Sequence, residues 1–248
     1  MQFLSFNKII TNMTKKHFTP IILALSLATL LFAGCKKPEP EVTSAAWVDL
    51  GLPSGLLWAS HNVGASKPED NGDYFAWGET STKEGYSYND YHFYQGSDNK
   101  ITKYCTLSML GFDNYVDNLT ILQSEDDAAT VNMGNPARIP TRVEWQELVD
   151  NTTIRLTTLG GVTGLLFSGA NGNNIFLPAA GLMANSRLEG NGSQLAYWSS
   201  SLYVQNPKEA WCFNDFVSDD GDWQVRNDYL FQHQRHLGYT VRAVSNRR

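Results

Sequence analysis

Apolar positions along this chain fall into short runs whose spacing changes from segment to segment. The first run is the longest: Ile21 to Ala33 (IILALSLATLLFA) follows Lys15, Lys16 and His17 and holds no charge. It is too short to cross a ~30 Å hydrocarbon core as a helix of about 20 residues, and its pattern is that of a secretory signal. Next come strand-like runs, Trp47 to Leu50 and Leu56 to Ala59, separated by Gly51-Leu52-Pro53-Ser54-Gly55, which predict a β-hairpin. The polar stretch Glu69 to Asp73 leads into Tyr74-Phe75-Ala76-Trp77-Gly78. Tyr86 to Tyr94 then mixes Tyr, Ser and Asn in neither period, an irregular aromatic loop.

Helical spacing follows. Ser124-Glu125-Asp126-Asp127 ahead of Ala128-Ala129 predicts a cap and an acidic first turn, with a short helix to Met133. Thr141 and Glu144 stand at capping-box spacing, and Trp145, Leu148 and Val149 fall at i, i+3 and i+4, which predicts a helix from Arg142 to Asn151. Alternation then returns. Val162 to Phe167 and Ile175 to Leu177 flank a turn around Gly169-Ala170-Asn171-Gly172, a hairpin signal. Tyr197 to Ser201, Ala210 to Val217 and Tyr239 to Val244 read as strands. In the second of these, Trp211 and Phe213 share a buried face, Cys212 and Asn214 point outward, and Phe216 is out of phase, as a β-bulge allows. Two modest helices followed by many short strands make an α+β domain with small antiparallel sheets and long loops.

Charge and composition narrow the partners. The 248 residues hold 25 acidic and 19 basic side chains, a formal charge of −6, so no positive field is present to hold a phosphate backbone. Leu31-Phe32-Ala33-Gly34-Cys35 resembles the lipobox of bacterial lipoproteins, in which the cysteine is acylated and becomes the N-terminus. That resemblance implies a signal peptide over residues 1–34, lipidation at Cys35 and a Pro/Glu/Lys tether over residues 35–44, ahead of one domain at 45–248. Removing residues 1–34 takes away three lysines and no acid, which moves the formal charge from −6 to −9. The expected location is the outer membrane, at the cell surface, held by the lipid on Cys35.

A wider resemblance rests on runs in a fixed order. Val48 to Gly55, Asn62 to Ala65, Gly72 to Glu79, Lys103-Tyr104-Cys105, Asp126 to Ala129, Pro140 to Leu148, Phe176 to Gly181, Tyr197 to Ser201 and Val241-Arg242 resemble the Fibrobacter succinogenes major paralogous domain and cover nearly all of residues 45–248. That family is similar to the C-type lectin fold, shared with formylglycine-generating enzymes. The resemblance implies the fold more directly than an activity.

Catalytic chemistry finds little support in the residues. A formylglycine-generating reaction needs a reactive cysteine pair, whereas Cys105 and Cys212 lie in no Cys-x-x-Cys or metal spacing and read as buried thiols or a mutual disulfide. His61, His92, His233 and His236 form no triad, and His233 and His236 read as solvated residues of a Gln-rich loop. Asp219-Asp220-Gly221-Asp222 lacks the ligand spacing of a calcium loop, so neither metal nor cofactor is expected. The aromatic content points elsewhere. Trp58, Trp77, Trp145 and Trp198 read as core, but Tyr203, Trp211, Trp223, Tyr229 and Phe231 alternate with Asn206, Asn214, Asp222, Asn227 and Asp228. Flat rings beside amides and carboxylates suit a sugar or a peptide surface. The expectation is a non-catalytic envelope lipoprotein module that binds a glycan or surface protein through Tyr203, Asn206, Asn214, Asp222, Trp223, Asn227 and Tyr229. A structural tip subunit of a surface fibre, or an enzyme like the formylglycine-generating ones, is the alternative.

Overall fold

The computed structural model describes residues 46–217 and 229–246. In chain order the strands are β1 (Trp47–Asp49), β2 (Leu57–Ala59), β3 (Tyr74–Phe75), β4 (Tyr94–Gln95), β5 (Lys100–Ile101), β6 (Thr152–Leu159), β7 (Val162–Gly169), β8 (Asn174–Pro178), β9 (Leu182–Ala184), β10 (Arg187–Glu189), β11 (Gln194–Leu202), β12 (Glu209–Phe216), β13 (Leu230–Gln234), β14 (Tyr239–Thr240) and β15 (Val244–Ser245). The helices are α1 (Ala128–Met133) and α2 (Arg142–Asn151). This is an α+β fold of several small sheets, and no helix among the described residues is long and apolar enough to cross a membrane.

The five-stranded sheet, in the order β13-β12-β11-β14-β3, forms the middle of the fold. All its pairings are antiparallel except that of β11 with β14. Both of its faces are covered. Ala196, Trp198, Ala210, Cys212 and Tyr239 join one apolar cluster, while Leu195, Tyr197, Phe213 and Leu230 join another with Trp58, Trp145, Leu148 and Phe167. A strand covered on both sides buries every side chain, whatever its parity. That corrects the expected outward course of Cys212 and Asn214, both of which are interior. Trp211 is only half-buried, and the irregular pairing falls on β11, between Trp198 and Leu202.

Helix α2 closes the second cluster. Thr141 Oγ1 accepts from the Glu144 amide at 3.3 Å and the Glu144 carboxylate accepts from the Thr141 amide at 2.8 Å, the reciprocal bonds that its capping-box spacing predicts. Before α1 the cap lies three residues later than expected. Asp127, not Ser124, accepts from Thr130 N at 2.9 Å, and its second oxygen accepts from Ile139 N at 2.8 Å. Ser124–Asp126 instead forms a separate 3-10 turn, whose Asp126 faces Lys103 at 2.5 Å.

Two further hairpins follow α2. The predicted pair β7 and β8 is present, but β6 precedes it directly after the helix and pairs with β7 along its whole length. The expected strand from Tyr239 to Val244 is divided between two sheets, since β14 joins the central sheet and β15 pairs with β2 beside β1. Arg242, between them, is fully buried.

Candidate functional site

The aromatic loop before β4 is sorted by packing. Tyr86, Tyr91 and Phe93 are buried, and the Tyr86 and Tyr91 hydroxyls donate to Tyr74 O at 2.5 Å and Trp77 O at 2.6 Å. Tyr88 stays 43% exposed on a 3-10 turn, Tyr88–Asp90. Lys83 fixes that turn: its Nζ donates to Asp90 O at 2.8 Å and pairs with Glu79 at 2.6 Å.

From this loop Tyr88 reaches the C-terminal third. Its hydroxyl donates to Gln234 Oε1 at 3.3 Å, and Gln234 Nε2 donates to Glu209 Oε1 at 3.2 Å. The register of β12 against β13 sets Glu209 opposite Gln234 and Trp211 opposite Gln232, so these four occupy one face at the open end of the strand pair. The Tyr88 ring lies 4.0 Å from the His236 imidazole and 6.2 Å from the near-parallel Tyr94 ring. Tyr94 donates to Lys208 O at 3.2 Å, and Lys208 Nζ stands 5.8 Å from the Tyr94 ring while donating to Asp98 O at 3.1 Å.

Arg235 holds this surface from below. It is fully buried, and its guanidinium donates to Tyr91 Oη at 2.8 Å and to the carbonyls of Lys103, Tyr104 and Pro207 at 3.1, 3.2 and 2.8 Å. The rings of Trp77, Tyr91, Phe93 and Tyr104 surround it at 4.7–5.8 Å. One buried cation thus ties the loops that carry Tyr88 and Lys208 to the turn that carries Gln234 and His236.

His233 and His236 are not the solvated loop residues expected. His233 is half-buried in β13, and His236, packed under Tyr88, is 7% exposed with no hydrogen-bond partner for Nδ1. Burial, with Lys83 nearby, pushes the His236 pKa down to about 4. Burial also lowers those of His233 and of His61, the latter with help from Arg242. Between pH 6.5 and about 4 the unfolded chain takes up protons that the folded chain refuses. Stability contributed by the neutral imidazoles is therefore present above 6.5 and lost as the pH falls toward 4. Urea midpoints are expected to drop between pH 7.5 and 4.5, and His236→Phe to flatten that slope; an unchanged slope would remove His236 from the account.

The sequence-predicted ligand residues do not gather in one place. Tyr203 is half-buried, edge-on to Trp211 at 5.5 Å, and the Arg142 guanidinium covers the Trp211 ring at 4.1 Å. Asn206 closes the turn before β12, accepting on Oδ1 from Lys208 N at 3.4 Å. Asn214 and Tyr229 are each 4% exposed and belong to the interior, a correction that follows from the two covered faces of the central sheet. Asn214 accepts from Gln194 Nε2 at 3.0 Å, and Tyr229 stacks on Phe213 at 5.7 Å. Asp222, Trp223 and Asn227, like Cys35 and the rest of the acidic run at 219–222, lie outside the described residues. Tyr88, Glu209 and Gln234 were not foreseen. The aperiodic tyrosines from Tyr86 to Tyr94 were the available signal, because a segment with neither period reads as a surface loop on which a ring can stand exposed.

Other clusters carry less. Cys105 and Cys212 are free and buried, without a mutual disulfide, and burial pushes both thiols up, away from the thiolate that redox chemistry needs. A polar cleft of about 350 Å³ is lined by Glu79, Lys83, His92, Glu125 and Asp126. Its carboxylates are already paired: Glu79 with Lys83, and Glu125 and Asp126 with Lys103, Asp126 also accepting from the Tyr104 hydroxyl. Among the described residues no group of three or more His, Cys, Asp or Glu side chains could hold a metal ion. No protein-family model, curated protein or solved structure matches the chain.

Proposed function

We propose that this chain is a lipid-anchored recognition module of the bacterial outer membrane, C-type-lectin-like in fold and without catalytic activity, that binds a glycan or a surface protein. The observation that carries the reading is the face on β12 and β13, where an exposed ring, Tyr88, adjoins a carboxylate and an amide, Glu209 and Gln234. An apolar platform with directional hydrogen-bonding groups beside it is how proteins hold sugars and peptide surfaces. Glu209 and Gln234 of this face belong to the C-terminal third, and Trp211 follows two residues along β12 with Tyr203, from the turn after β11, edge-on to it. The fold assignment is supported by where the family-like runs fall: Trp77, Trp145, Trp198 and Arg242 are all fully buried and serve the framework.

Arrays of glycans and host surface proteins, probed with the full-length chain, test this reading. Tyr88→Ala is expected to weaken any hit tenfold or more, as loss of an anchoring ring does; unchanged affinity sinks the face. Fatty-acid labelling that disappears in Cys35→Ser is the expected result for the anchor. The fibre-subunit reading has one observation in its favour. Strand β6 is an eight-residue sheet edge with no strand of the described residues on its outer side, and such edges pair readily with other chains. Blank arrays together with concentration-dependent assembly in sedimentation would select it.

A further inference from the structure

Resting on that recognition reading, we infer that the face takes an amine-bearing sugar, its ammonium set against Glu209 and its ring on Tyr88. Charge complementarity carries the argument. Glu209 uses one carboxylate oxygen to accept from Gln234 at 3.2 Å, which leaves its other oxygen for a ligand donor. Asp90, exposed on the same turn as Tyr88, adds negative charge. The nearby cations are already engaged: Lys83 with Glu79 and Asp90 O, Lys208 with Asp98 O and the Tyr94 ring, and the buried Arg235 with the Tyr91 hydroxyl and three carbonyls. Arg142 is spread at 4.1 Å over the ring of Trp211, two residues from Glu209 along the same face of β12.

A ligand cation therefore meets a carboxylate and an exposed aromatic ring, both of which attract it. A uronate or sulfated sugar would set its charge against Glu209 and Asp90 on a chain whose formal charge is already −6. His236 makes the platform firm. Its imidazole fills the space beneath Tyr88 at 4.0 Å, and its own Nδ1 has no protein partner. The platform residue is thus backed by a ring instead of by solvent, as a preorganised binding group should be.

The test is calorimetric titration of the full-length chain, below the pKa of the sugar amine, with three oligosaccharides of equal length: glucosamine, N-acetylglucosamine and galacturonate. The glucosamine oligomer is expected to bind at least tenfold tighter than the N-acetylated one, with galacturonate weakest. In Glu209→Gln, which keeps the shape and the bond to Gln234, that tenfold preference should collapse; Tyr88→Ala, checked for folding by circular dichroism, should lose all binding. Equal affinity for the amine and its acetylated form, tightest binding of galacturonate, or a preference that survives Glu209→Gln each overturn the inference. If no oligosaccharide binds but a protein ligand is lost on Tyr88→Ala, the sugar assignment falls and the recognition reading stands. If Tyr88→Ala alters no binding at all, both fall.

Discussion

Arg242→Met is expected to lower the free energy of unfolding by about 3–5 kcal/mol, a large part of the 5–15 kcal/mol typical of a domain. The Arg242 guanidinium is fully buried and donates to Asn62 Oδ1 at 2.9 Å, to Ala59 O and Ser60 O at 3.2 Å each, and to Phe176 O at 2.9 Å. None of these partners is a carboxylate. Burial pushes its pKa down only to about 10, so it remains charged at neutral pH and its charge is spread over carbonyl dipoles. Methionine fills much of the volume but donates nothing, leaving four acceptors without this donor in the interior at ~1–3 kcal/mol for each that finds no other. Lysine should recover little, because a point ammonium cannot span the segment after β2 and strand β8 as a planar fork does. Urea unfolding monitored by tryptophan fluorescence measures this; a loss below about 1 kcal/mol would mean that water or neighbouring amides replace the fork.

Trp145→Ala is expected to remove a similar amount, about 3–5 kcal/mol, by a different route. The indole is fully buried, stacked on Phe213 at 5.0 Å and edge-on to Trp58 at 4.8 Å, with Nε1 donating to Trp198 O at 3.2 Å. It joins α2 to two sheets at once. Alanine leaves a cavity that the Phe213, Trp58 and Tyr197 rings around it cannot collapse into. Trp145→Phe keeps the stacking and loses the donor, so its loss should fall between alanine and wild type. A phenylalanine variant as unstable as the alanine one would put the weight on the hydrogen bond.

How much of this was legible in the sequence depends on how far apart the interacting residues lie. Helix α2 was readable because its cap, its Thr141–Glu144 box and its apolar stripe are all local. The turns between β1 and β2 and between β7 and β8 were readable for the same reason. Strand β6 was passed over because threonines dilute its alternation, although Thr153 and Arg155 point out while Ile154 and Leu156 turn in. The burial of Asn214, Cys212 and Tyr229 depends on what covers each face of β12, and a strand's own sequence does not state that. The candidate face was hidden most deeply: Tyr88 and Gln234 are 146 positions apart. Arg235 and Arg242 gave no local sign of burial either, since arginine in isolation is a surface residue and only the converging carbonyls make an interior place for it.

The first sheet has a mechanical consequence. Strands β1 and β15 flank β2 and both run antiparallel to it, so they run parallel to each other. Trp47 lies level with Ala59 at one end of β2, and Ser245 level with Leu57 at the other. Tension applied between Trp47 and Ser245 therefore drags the two strands in opposite directions along β2, at right angles to the hydrogen bonds that hold them. Those bonds take the load as a group instead of unzipping in turn, and the Arg138 amide and carbonyl grip Val244 from its other side at 3.0 and 2.9 Å. The sheet works as a shear clamp, strongest against a stretch between the two ends of the domain.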